Sequence, residues 1–308
     1  MSEWQRPSRR AVLGTLVSAA AAMSLSPALA QPASLIAKPI PSTGEHIPCV
    51  GLGSWITFNV GNDIMLRDEC AAVIGAFFES GGRLIDSSPM YGSSQAVIGY
   101  GLGKLGRPSA LFAADKVWTS AGANGPSQIA TSENFWGVPR FDLLQVHNLL
   151  SWEHHIETLK QMKSADELRY IGITTSEGRR HAEFERVMQA QPLDFVQLTY
   201  NILDRDAEAR ILPLAMDRGI AVIVNRPFRQ GALTRQLERY PLPEWASEVG
   251  ASSWAQFILK FIVSHPAVTC AIPATTRVDH VRANMAAAFG DLPDAATRAR
   301  MVAYVEAL

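Results

Sequence analysis

Cys70-Ala71-Ala72-Val73-Ile74-Gly75-Ala76-Phe77-Phe78-Glu79-Ser80-Gly81-Gly82-Arg83-Leu84-Ile85-Asp86 carries one change of periodicity, from helix to strand. Cys70, Val73, Ile74, Phe77 and Phe78 recur at i, i+3, i+4, i+7 and i+8, the spacing of a single helical face. Gly81 and Gly82 then close the helix, because glycine accepts the left-handed backbone that commonly ends one. Arg83-Leu84-Ile85-Asp86 follows as a short apolar run ending in a carboxylate, which reads as a strand covered on both faces.

The same alternation runs from residue 50 onward, with strands expected over 50–54, 83–86, 111–116, 143–147, 170–174, 195–198, 220–224 and 268–272. Their C-terminal ends, at Gly53, Asp86, Lys116, His147, Thr174, Gln197, Asn225 and Pro273, lie 33, 30, 31, 27, 23, 28 and 48 residues apart. Each spacing suits one strand–helix unit, and the long last one marks an extra loop. An open doubly wound sheet would use the same alternation, but eight units favour closure into a (β/α)8 TIM barrel, an α/β fold. No Gly-x-Gly-x-x-Gly follows a strand, and Gly99-Tyr100-Gly101-Leu102-Gly103 is glycine-rich in the wrong place for one. Residues 36–49, with Pro41-Ser42-Thr43-Gly44-Glu45 between two apolar runs, predict an N-terminal hairpin at the barrel bottom. The expectation is one barrel domain over 31–308.

Composition agrees: 308 residues, 47% hydrophobic and 19% charged, describe a globular chain with ample core, and a net charge of −1 argues against a nucleic-acid partner. Ser8-Arg9-Arg10-Ala11-Val12-Leu13 sets a twin arginine before an Ala-rich stretch ending in Ala28-Leu29-Ala30. This predicts a signal over 1–30, read by the twin-arginine (Tat) export machinery and removed on the way to the periplasm. Ser18, Ser24 and Ser26 interrupt the stretch, which is short for a membrane span of about 20 apolar residues. Removal takes away three Arg and one Glu, moving the charge from −1 to −3. Cys49, Cys70 and Cys270 are read as small core residues, with one disulfide as the lesser alternative.

Catalytic groups of such barrels sit where strands end, so polar residues that terminate apolar strands are the ones to question. Asp86, Lys116 and His147 are three, and Tyr91 follows Asp86 by five residues in the next loop. Singly, Asp86, His147 and Tyr91 have ordinary explanations: a turn former, an edge histidine, a loop aromatic. Lys116 resists one, because an ammonium at the inward end of a buried strand is costly unless a carboxylate such as Asp86 compensates it.

Together these pieces resemble the aldo-keto reductase family. The resemblance is carried by Gly51-Leu52-Gly53-Ser54-Trp55, Leu84-Ile85-Asp86-Ser87-Ser88-Pro89-Met90-Tyr91-Gly92, Lys116-Val117-Trp118-Thr119, Asp142-Leu143-Leu144-Gln145-Val146-His147-Asn148 and Arg169-Tyr170-Ile171-Gly172-Ile173-Thr174, in order, within residues 36–290. It implies hydride transfer from NADPH or NADH to an aldehyde or ketone, with a small carbonyl compound as substrate. Tyr91 would give the proton, Lys116 would stabilise its ionised form, Asp86 would hold the lysine, and His147 would orient the carbonyl. The resemblance places nicotinamide contacts at Thr174, Thr175, Gln197 and Asn225, where Thr174-Thr175 replaces the usual Ser-Asn pair and Asn225 the usual stacking aromatic. Phe228 is the substitute for stacking, and Arg226, Arg229 and Gly231 fall in a pyrophosphate-covering loop. Thr275, Arg277, His280 and Asn284 align with the adenosine-binding stretch. Ala274 lacks the frequent basic residue there, and Arg277 is the compensating cation that tilts the expectation slightly toward NADPH. Trp55, Phe58, Trp118 and Trp152 follow strand ends and are expected to line an apolar substrate pocket.

Two rival readings share the barrel. One makes Asp86 and His147 metal ligands of a hydrolase, although His46, His154, His155, His181, His265 and His280 match no ligand spacing and no metal is expected. The other is an exported nicotinamide-binding partner or regulator with little turnover. The sequence fixes no oligomeric state.

Overall fold

Helix α1, Ile64–Glu79, begins where Asp63 caps it: the carboxylate accepts from the backbone N–H of Met65 and Leu66 at 2.9 and 3.2 Å. It ends at Gly81, whose φ of 84° is a left-handed conformation. Gly82 has a different reason to be glycine, since a Cβ there would stand 2.2 Å from the Phe77 ring. Cys70, Val73, Ile74 and Phe77 of the expected face are buried, and Phe78 packs at its edge. The computed structural model describes residue 1 and residues 34–308; the twin-arginine stretch and the cleavage point at Ala30 lie outside the described residues.

The hairpin forms first in the described chain. Strands β1, Ala37–Pro39, and β2, His46–Pro48, pair antiparallel. Eight parallel strands follow: β3 Leu52–Gly53, β4 Leu84–Asp86, β5 Phe112–Val117, β6 Leu143–Val146, β7 Tyr170–Thr174, β8 Phe195–Thr199, β9 Ala221–Asn225 and β10 Val268–Ala271. They pair in sequence order, and the parallel bridges Val50–Ala271 and Gly53–Ala274 join first to last. Gly51 N–H donates to Ala271 O at 2.8 Å and Gly53 N–H to Pro273 O at 3.0 Å, so the sheet closes on itself.

Alternation sorts each strand between two cores. Phe112 and Ala114 of β5 point into the barrel, while Ala113 and Val117 point out to the helices. Asp115 is also buried, bound by Gln95 Nε2 at 2.8 Å and Trp136 Nε1 at 2.7 Å. Those partners lie on α2, Ser94–Lys104, and α3, Gly125–Trp136, so a polar knot ties both helices to β5. Gly99 belongs to α2, where a Cβ would meet Phe135 O at 1.9 Å; the glycine-rich run thus serves helix packing rather than phosphate binding. Cys49, Cys70 and Cys270 are free and buried.

The barrel's lower interior holds Leu84, Phe112, Leu143, Tyr170, Phe195 and Ile223, joined by Ile40 and Ile47 of the hairpin. Glu45, in the hairpin turn, accepts from Arg83 Nη2 at 3.1 Å and Tyr170 Oη at 2.8 Å and pairs with Arg169. The hairpin is therefore both plug and clasp. Helices α4, Trp152–Ser164, α5, His181–Ala190, and α6, Ile211–Asp217, follow β6, β7 and β8, and the long connection before β10 contains α7, Ala232–Leu237, and α8, Trp254–Val263. The chain ends in α9, Val278–Ala286, and α10, Ala295–Glu306.

Candidate active site

Asp86, Lys116 and His147 stand at the C-terminal ends of three neighbouring strands, with Tyr91 in the loop after β4. Lys116 Nζ donates to Asp86 Oδ2 at 2.6 Å and to Ser87 O at 2.7 Å, with both side chains buried. Removing two charges from water is repaid only by close pairing of this kind. Gln197 Nε2 adds a bond to Asp86 Oδ1 at 3.0 Å. Burial works against the Lys116 ammonium, but Asp86 and Tyr91 outweigh it and hold its pKa above the ordinary lysine value. Lys116 Nζ lies 5.2 Å from the centre of the Tyr91 ring. His147 meets that ring edge to face, 5.7 Å between centres.

Burial raises the Tyr91 pKa above the usual phenol value, Lys116 pulls it back and Asp86 adds to the rise. The expected stabilisation by Lys116 operates, yet burial outweighs it, so the phenol keeps its proton at neutral pH. His147 is displaced oppositely: burial first and the Lys116 charge second hold its pKa well below the usual imidazole value, which makes the ring neutral. One protonated phenol, one neutral imidazole and one buried cation thus share a site.

The backbone after His147 is bent into a left-handed path, with φ of 52° at Asn148 and 55° at Leu149. Thr174 Oγ1 accepts from Asn148 N–H at 2.9 Å, and Arg180 Nη1 donates to the carbonyls of Asn148 and Leu149 at 2.9 and 3.0 Å. These contacts fix where the imidazole points.

A cavity of about 960 Å³ opens over the strand ends and runs from Trp55, Asp86, Tyr91 and His147 to Thr275, His280 and Asn284 on the α9 side. Thr174, Gln197, Asn225, Arg226, Phe228 and Gly231 also line it. Other sequence candidates lie apart from the lining. Thr175 is buried, its hydroxyl donating to Arg179 O. Arg229 is held by Asp204, and the exposed Arg277 pairs with Asp279. Phe58 is fully buried in the core, Trp118 is 40% exposed, and Trp152 packs on the core with Nε1 donating to Glu183 at 3.2 Å. Trp55 alone of the four aromatics lines the cavity.

Asn225 does not stand free to take the place of an aromatic. Its Nδ2 donates to Thr175 O at 2.9 Å and its Oδ1 accepts from Thr199 Oγ1 at 2.7 Å. Arg226, whose guanidinium lies 2.9 Å from Glu177 Oε1, faces the cavity with its charge partly answered. Arg235 on α7, and Ser252 and Ser253 before α8, also line the cavity and were missed by sequence reasoning. Ser252-Ser253 before Trp254 had a usable signal, since Ser253 is a helix cap accepting from Gln256 N–H at 3.2 Å. Among the described residues, no group of three or more His, Cys, Asp or Glu side chains is placed to hold a metal ion.

A family model described as the aldo/keto reductase family matches residues 49–299. The NADH-specific methylglyoxal reductase of Escherichia coli K12 is 27% identical over 238 residues, covering 67% of this chain and 71% of that protein. The methylglyoxal reductase YeaE of the same organism is 25% identical over 247 residues, covering 78% and 85%. Among solved structures, an aldo/keto reductase from Klebsiella pneumoniae in complex with NADP and acetate superposes with a TM-score of 0.72 at 21% identity, covering 85% of this chain and 93% of that one. The glycerol dehydrogenase of Gluconobacter oxydans gives 0.73 at 20%, covering 88% and 95%. At these identities the solved structures speak for the fold.

Proposed function

The chain belongs to the aldo/keto reductase family, and we propose that it is an oxidoreductase that reduces a small aldehyde or ketone to the alcohol with NADPH or NADH. The observation that carries this reading is the buried Lys116 ammonium, 2.6 Å from Asp86 and 5.2 Å from the Tyr91 ring centre, directly behind the Asp86 and Tyr91 side chains that line one long cavity. The cavity suits an extended dinucleotide: it joins Asp86, Tyr91 and His147 to the α9 side and carries Arg226 and Arg235 along its wall. Thr174 and Gln197 would meet the nicotinamide end, the two arginines the phosphates, and Thr275, His280 and Asn284 the adenosine end. When bound, the reduced nicotinamide supplies a hydride to the carbonyl carbon.

The protein's own residues supply the rest. Tyr91 holds a proton at neutral pH and gives it to the carbonyl oxygen as negative charge develops there. Lys116, kept charged by Asp86, stabilises the phenolate that remains. His147, kept neutral, orients the carbonyl with a hydrogen bond. Two relatives are named methylglyoxal reductases, which makes methylglyoxal the first substrate to try. Consumption of NADPH or NADH with methylglyoxal should be measurable for the purified protein. Tyr91→Phe should lose about 100-fold or more in kcat while its cofactor dissociation constant stays nearly unchanged. A Tyr91→Phe enzyme with normal kcat removes the residue from this role.

The twin arginine at Arg9-Arg10, ahead of the Ala-rich stretch, supports export of the folded enzyme to the periplasm. Fractionation of cells with and without a working twin-arginine translocase tests this; an unchanged cytoplasmic pool in both counts against it.

A further inference from the structure

Ser88 takes part in none of the steps above, yet its hydroxyl touches a residue that does. Ser88 Oγ lies 2.7 Å from His147 Nδ1 and accepts from Met90 N–H at 3.2 Å. Ser88 has no exposed surface, so its hydroxyl hydrogen must find its acceptor inside the protein. Two arrangements fit the short contact. In the first, the Ser88 O–H donates to Nδ1, and the ring hydrogen resides on Nε2. In the second, Nδ1–H donates to Oγ, which then accepts from two N–H groups and leaves its own hydrogen buried without an acceptor. Stranding a buried donor is the costlier choice. The imidazolium would also need a hydrogen on Nδ1, and burial beside Lys116 works against that cation.

The other ring nitrogen completes the case. His147 lines the cavity, and its Nε2 has no hydrogen-bond partner among the described residues. In the first arrangement Nε2–H is a free donor aimed at the place where a carbonyl oxygen would sit. In the second, the cavity meets a nitrogen lone pair, which repels that oxygen. We propose that Ser88 is a positioning residue that fixes His147 in the Nε2–H tautomer, so that the ring offers a hydrogen bond to the substrate carbonyl. The role rests on the carbonyl-reduction reading for its use, but not for its detection. The hydroxyl suits it because one atom accepts from the turn and donates to the ring, and the Met90 N–H holds that atom in place.

The full-length protein, labelled with ¹³C and ¹⁵N in histidine, tests this by NMR, with His147→Asn identifying the residue's resonances. The wild-type spectrum should show the Nε2–H tautomer. Ser88→Ala should show a mixture, together with a fall in kcat of about tenfold and an unchanged cofactor dissociation constant. A wild-type ring protonated on Nδ1 overturns the proposal, as does a Ser88→Ala protein with unaltered tautomer and kcat. If Ser88→Ala fails to fold, the wild-type spectrum still decides. A protein with the expected tautomer that reduces no carbonyl compound refutes the functional reading and leaves the role of Ser88 standing.

Discussion

Asp86 and Lys116 sit 2.6 Å apart with almost no exposure, and everything around them adjusts to that buried charge. Tyr91 keeps its proton because burial outweighs the cation, and His147 gives up its proton because burial and cation act together. The pH profile of kcat should therefore stay level as pH falls through 6.5, the ordinary imidazole value. The alkaline limb should begin above 10, the ordinary phenol value. A step near 6.5 assigned to His147 by its loss in His147→Asn would contradict this. Lys116 was legible because a buried strand end is a costly place for a cation, whereas Asp86, Tyr91 and His147 stood out only together, as an ordered set of motifs that resembles a family. Ser88 and Arg180 were not, since a serine and an arginine in loops carry no periodicity. Phe58 misled for the converse reason: position after a strand does not say whether an aromatic faces the cavity or the core, and this one is fully buried.

Among the elements, the hairpin is the clearest case of local sequence serving a distant partner. Glu45 gathers Arg83, Arg169 and Tyr170, and these contacts more than offset burial, holding its pKa below 4.5. A lowered pKa means stability present above the unfolded value and lost as pH falls through the folded one. Glu45→Gln should thus cost about 1–2 kcal/mol at neutral pH, with the deficit against wild type shrinking below pH 4.5. Urea unfolding at both pH values measures it, and a deficit that grows in acid would oppose this account. The hairpin and the eight strands could be read from alternation and turn residues. The glycines of α2 could not, because their use depends on a neighbouring helix: Gly99 is needed only because Phe135 O lies where its Cβ would be.

For the molecule as a whole, the long cavity is made of loops from every quarter of the chain, which is why its course was the least legible part. Arg277 was expected to face a 2′-phosphate but pairs with Asp279, and Arg235, from the long connection, lines the cavity instead. The closure of the sheet has a consequence for how such a chain comes into being. Because Gly51 and Gly53 bond to Ala271 and Pro273, the seam joins segments more than 200 residues apart in sequence. A nascent chain emerging from the ribosome cannot seal it until its last quarter is made. Until then the edges on both sides of the gap stay unpaired, and their buried, apolar strands invite association between chains. Only the completed seam removes both edges, and it rests on those few bonds.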